Sequence, residues 1–138
     1  MRLLVTLRAE TSAAYDHTYH RNLAGRIWQG LNSPQFDDIH ESGLPSGFCF
    51  SNPFPVGDIT DGDERMLLIA AAEDRVLLAI GEHLKQHPEV NIGQMSFTVT
   101  DITEVAPDVG EPGTEGILET ATGLVVRIPH WKFDDYNI

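Results

Sequence analysis

The sequence contains six histidines, the side chains best suited to move protons near neutral pH, because an unperturbed imidazole titrates at about 6.5. His40 has the most suggestive surroundings. Asp37 and Asp38 precede it, and the turn-rich stretch Glu41-Ser42-Gly43-Leu44-Pro45-Ser46-Gly47 follows. Neighbouring carboxylates favour a charged imidazole, and a glycine-bearing loop lets a substrate come close, so His40 is a candidate general acid/base. The plain alternative is an ordinary loop histidine. His17 and His20, three apart beside Asp16, have a spacing two metal ligands can use, but read more simply as exposed polar residues of a helix. His83 and His87 are four apart, yet Glu82 precedes the first of them where the zinc-protease pattern needs a glutamate just after it. They read as solvent-facing residues near a helix C-terminus. The single cysteine, Cys49, allows neither an internal disulfide nor a cysteine-based zinc site, and reads as a small buried hydrophobe. No metal site and no other cofactor is expected.

The elements that would hold these residues follow from apolar periodicity. Leu3, Val5 and Leu7 alternate with Leu4 and Thr6, a strand. Tyr19, Leu23, Ile27 and Leu31 recur every fourth residue with Ala24 and Trp28 beside them, a helical stripe that makes Trp28 a core candidate. Phe48-Cys49-Phe50 predicts a second strand, and Met66 to Ala72 a third, apolar enough to be central. A second helix begins near Glu73-Asp74, carries Val76, Leu77, Ile80 and Leu84 inward, and stops before Pro88. Met95, Phe97 and Val99 alternate with Ser96, Thr98 and Thr100 in a fourth strand. The fold class expected is α+β: a ferredoxin-like βαββαβ chain, four antiparallel strands with two helices on one face. This domain spans 1–107. Residues 108–138 read as an acidic linker and a hairpin (Gly116 to Thr120, Leu124 to Ile128), after which a second domain would begin.

A chain of 138 residues, 41% hydrophobic and 22% charged, has room for one core of this kind but not two. Its longest apolar runs fall far short of the roughly 18 residues of a membrane span. Arg2 and Arg8 bracket a short apolar opening with no small-residue cleavage site, so no signal peptide is expected and the address is cytoplasmic. Nine basic against 21 acidic residues leave a net charge of −12, the wrong sign for a nucleic-acid binder in dilute buffer, and no DNA partner is expected. Only Lys85 and Lys132 are lysines. Scattered acids with scarce lysine suit a halophile's protein, since multimolar salt shortens the Debye length to about 3 Å or less and screens self-repulsion.

Several strings now fall into one order: Met1-Arg2-Leu3-Leu4-Val5, Tyr19 to Trp28, Ile39-His40-Glu41, Gly47-Phe48-Cys49-Phe50-Ser51, His87-Pro88-Glu89-Val90 and Leu124-Val125-Val126-Arg127. Together they resemble, over nearly the whole chain, the N-terminal half of the CRISPR repeat-processing endoribonucleases of the RAMP superfamily. The resemblance implies two side-by-side ferredoxin-like domains that cut the repeat of precursor CRISPR RNA without a metal, leaving a 2′,3′-cyclic phosphate. It places the catalytic histidine at His40. It also implies a tyrosine and a lysine at positions occupied here by Trp28 and Ser46, which can supply neither a phenol nor a charge. His20, Arg21 and Arg26 would be RNA-contacting residues on the first helix, and an effector complex is a further partner. Gly47-Phe48-Cys49-Phe50 only thinly imitates an RNA-recognition motif, whose basic leader it lacks. Two other classes stay open: a non-catalytic repeat-RNA-binding RAMP relative, and a ferredoxin-like ligand- or protein-binding module.

Overall fold

A computed structural model describes residues 1–41, 47–106 and 110–117. The chain divides into two compact units, Met1–Asp108 and Val109–Ile138. In the second, residues 110–117 are exposed and form a turn-rich loop. Of the expected hairpin, Gly116 and Ile117 belong to this loop, and the remainder lies outside the described residues.

The first unit is built from β1 (Arg2–Ala9), α1 (His20–Trp28), α2 (Asp37–Glu41), β2 (Phe48–Phe50), β3 (Glu64–Ala71), α3 (Asp74–Gln86), β4 (Glu89–Ile92) and β5 (Met95–Val105). The strands form one sheet in the order β2-β3-β1-β5-β4, every neighbouring pair antiparallel. In β1, Leu3, Val5, Leu7 and Ala9 turn to one face and are buried. They meet Leu67 and Ile69 of β3, Val90 and Ile92 of β4, and Met95 and Phe97 of β5 in a single core. Tyr19, Leu23, Ile27 and Leu31 supply the α1 side of that core, as their spacing predicts, and Val76, Leu77, Ile80 and Leu84 the α3 side. Burying each such aliphatic side chain stabilises the fold by about 2 kcal/mol.

The sheet has five strands where four were expected, and there are three helices where two were expected. The extra strand is β4. Pro88 prevents α3 from continuing, and Glu89–Ile92 then alternates exposed and buried residues. Gly93, at φ +64°, turns the chain back into β5. With only Val90 and Ile92 apolar and Pro88 immediately before, the sequence reads there as no more than a helix stop. The Asp16 carboxylate secures this hairpin from the other side, accepting from the Gln94 backbone N–H at 3.3 Å and from the Thr18 N–H and hydroxyl at 2.9 and 2.6 Å. A Cβ on Gly93 would overlap that carboxylate. The extra helix, α2, carries His40, where the sequence predicts a loop histidine. At the end of α1, a 3₁₀ turn (Gln29–Leu31) lets Gly30 press on α3, where a Cβ would lie 3.1 Å from the Ile80 Cα.

Among the described residues no charged side chain is buried, and no helix is long and apolar enough to cross a membrane. Carboxylates at the surface repel one another through solvent, where salt screens them. The thermal midpoint of the chain is therefore expected to rise between about 1 and 3 M KCl. Scanning calorimetry at constant pH checks this, and a flat or falling midpoint removes the case for salt adaptation.

Candidate active site

His40 is carried by a short connector whose course is set by two anchors. Leu31 is fully buried at the end of the 3₁₀ turn after α1, and Phe36 is 2% exposed in a second 3₁₀ turn (Pro34–Phe36). Pro34 suits the first position of such a turn, where its missing N–H removes no hydrogen bond. Between these anchors the chain bends around a concave depression of about 390 Å³, lined by Asn32, Ser33, Pro34, Asp37 and His40. The depression mixes polar and apolar lining and is open to solvent, so an acid/base group there can meet a charged substrate.

Two contacts hold the His40 ring. Nε2 lies 3.1 Å from the Leu31 carbonyl oxygen, and the imidazole lies over the Trp28 indole, centroids 4.4 Å apart at 34°. Trp28 in turn packs edge-on against Phe48, 5.2 Å away, with Phe48 buried in the core. The sequence placed Trp28 in the core; the structure leaves it half-buried, packed on the core with one side and on His40 with the other. Ser46 lies outside the described residues.

The expected partnership of His40 with Asp38 is replaced by another. Arg75, from the start of α3, donates from Nη2 to Asp38 Oδ2 at 2.9 Å, from Nη1 to the Gln35 carbonyl at 2.8 Å and from Nε to Glu73 Oε2 at 2.6 Å, with its guanidinium 5.4 Å from the centre of the Phe36 ring. Arg75 thus ties α2 to α3 and steadies the segment bearing His40. Sequence reasoning missed it, because nothing local in the sequence points from residue 75 to residues 35–38.

The first-helix cations divide. Arg21 is exposed, and no hydrogen bond or ion pair engages it among the described residues. His20 is also exposed, its ring stacked on Tyr19 at 4.3 Å, while the Tyr19 hydroxyl donates to the side-chain amide oxygen Oδ1 of Asn52. Arg26 instead folds back on β4, donating from Nε to the Glu89 carbonyl at 2.9 Å and from Nη2 to the His87 carbonyl. Cys49 is exposed rather than buried: Phe48 and Phe50 take the core face of β2, which turns the residue between them away.

His83 also departs from the expected solvent-facing position. It is half-buried, 4.8 Å from the His87 ring, and desolvation, then the charges of Arg26 and His87, hold it below the ordinary histidine value. A histidine depressed by folding binds its proton more tightly once unfolded, so the stability present above about pH 6.5 is lost as pH falls through the folded value. The thermal midpoint is expected to decline below about pH 6.5, and His83→Gln to flatten part of that decline. An unchanged slope in the variant would show that other groups carry it. No group of three or more histidine, cysteine or acidic side chains that could hold a metal occurs among the described residues.

Across all 138 of its residues the chain is 45% identical to the CRISPR-associated endoribonuclease Cas6 of Haloferax mediterranei. By this likeness the chain groups with the CRISPR-associated Cas6 proteins. It spans about half (51%) of that relative's length. Among solved structures, a Cas6-related protein from Pyrococcus furiosus superposes with a TM-score of 0.64 at 22% identity, covering 78% of this chain and 48% of the other. A chain described as an RAMP protein binding different RNA substrates superposes at 0.61 with 22% identity, covering 80% and 50%. These two likenesses establish the family's α+β fold for the first unit. No protein-family model matches the chain. The sequence likeness to the Haloferax relative carries the similarity to the Cas6 proteins, and the solved structures carry the fold.

Proposed function

We propose that this chain is one half of a metal-independent endoribonuclease that cleaves CRISPR repeat RNA in the cytoplasm, with His40 as general acid/base. The observation that carries the proposal is the position of His40: tethered at Nε2, lining an open depression, in a chain akin to a Cas6 endoribonuclease. In this reaction the 2′-oxygen attacks the adjacent phosphorus as its proton passes to a base, and the bond to the 5′-oxygen breaks as that oxygen gains a proton. The products are a 2′,3′-cyclic phosphate and a 5′-hydroxyl. Proton transfer alone balances the step, and an imidazole can serve at either end of it. Arg21 and His20, exposed on α1, are the proposed RNA contacts, whereas Arg26 is proposed to act first as a tie between α1 and β4. In chain order, β1, α1, β2, β3, α3 and β5 supply the ferredoxin-like βαββαβ set, with β4 added at the sheet edge beside β5.

One observation favours a second function. Trp28 and Ser46 lack the phenol and the charge that the resemblance implies at their positions, which suits a relative that holds repeat RNA without cutting it. Incubating the full-length protein with a repeat RNA, with and without EDTA, separates the two. Cleavage that persists in EDTA and leaves a cyclic phosphate supports the endoribonuclease. Tight binding without cleavage supports the non-catalytic relative, and loss of cleavage on chelation, restored by a divalent ion, overturns metal independence.

A further inference from the structure

We infer that Trp28 is a positioning residue for His40, and that together with the Leu31 carbonyl it makes Nδ1 the nitrogen that exchanges protons with substrate. The inference rests on the acid/base role of His40 proposed above. A carbonyl oxygen only accepts, so the 3.1 Å contact from Nε2 to Leu31 requires the hydrogen on Nε2. A neutral imidazole carries one N–H, which leaves the lone pair on Nδ1. One hydrogen bond fixes a point on the ring but not its plane, and the second side-chain torsion of histidine is otherwise broad. The Trp28 indole restricts the plane, packed against the imidazole with centroids 4.4 Å apart and a tilt of 34°. Trp28 is itself held: it follows the buried Ile27 at the end of α1, and Phe48 of β2 meets its edge at 5.2 Å. Imidazole orientation is thereby referred to the core through two ring contacts, although His40 itself is exposed. An aromatic side chain without a hydroxyl meets this need fully, which explains why an indole can stand where the resemblance implies a phenol.

The test combines nitrogen-15 NMR of the histidine rings in the intact protein with single-turnover cleavage of repeat RNA. At a pH where His40 is neutral, the ring correlations are expected to show Nε2 protonated and Nδ1 bare. A protonated Nδ1 would overturn the inference. Trp28→Leu is expected to lose this single tautomer and to slow cleavage at saturation roughly tenfold or more, because small misplacements of a catalytic group are costly. The protein concentration giving half-maximal rate should stay within about twofold. Trp28→Phe keeps a ring against the imidazole and is expected to retain the tautomer and a rate within about threefold of the parent. Equal losses in both variants, or wild-type cleavage by Trp28→Leu, count against positioning. The thermal midpoints of the variants separate a local effect from unfolding. Should His40→Ala cleave at the wild-type rate, the acid/base role itself fails, whereas the tautomer measurement stands apart from that result.

Discussion

Replacing His40 with alanine is expected to slow repeat-RNA cleavage by the full-length protein by about 10²- to 10⁴-fold, the usual contribution of a positioned acid or base. Repeat binding should stay within severalfold of the parent. The two effects separate because His40 is exposed and carries no ion pair among the described residues, so its removal leaves the cationic surface of α1 untouched. Folding should survive as well. The substitution deletes one hydrogen bond, of about 1 kcal/mol, and one ring contact of about 0.5–1.5 kcal/mol, neither of them in the core. Rates measured with protein in excess of RNA, alongside a binding isotherm, check both halves of the expectation, and equal cleavage by variant and parent refutes the assignment.

The second large effect concerns residues 1–138 by themselves. This piece is expected to fold, since the buried core among the described residues runs from Leu3 to Phe97, yet to bind repeat RNA no better than an unrelated RNA and to leave it uncut. The reason is electrostatic. Arg8 pairs with Glu10, Arg65 with Asp63, and Arg75 with Asp38 and Glu73, while Arg26 faces backbone carbonyls. Among the described lysine and arginine side chains this leaves Arg2, Arg21 and Lys85 without a hydrogen-bond or ion-pair partner. Three phosphate contacts to a single strand correspond to a slope of log affinity against log salt of about −2.1, a weak attraction on a surface of net charge −12. The relatives are about twice as long, and the missing contacts are expected in their other half. Filter binding across a salt series measures the slope. Efficient cleavage by the 138-residue piece would show that His40 finds all its partners within it.

Much of the architecture was legible in the sequence because burial imposes a period. The Tyr19, Leu23, Ile27, Leu31 stripe, the inner face of α3 and the alternation of Met95, Phe97 and Val99 all record which side of an element meets the core, and the structure buries the residues so marked, with Val99 half-buried. The position of His40 in a connector between α1 and β2 was legible too, since Asn32-Ser33-Pro34 and the later glycines punctuate the chain. Tertiary structure alone decided what touches His40. The capture of Asp38 by Arg75, the return of Arg26 to β4, the indole under the imidazole and the Leu31 carbonyl that selects its tautomer are contacts between segments 9 to 63 residues apart. Periodicity reports only whether a side chain faces inward. Which partner it meets there depends on how the sheet order β2-β3-β1-β5-β4 folds distant segments together, and that order leaves no local trace in the sequence.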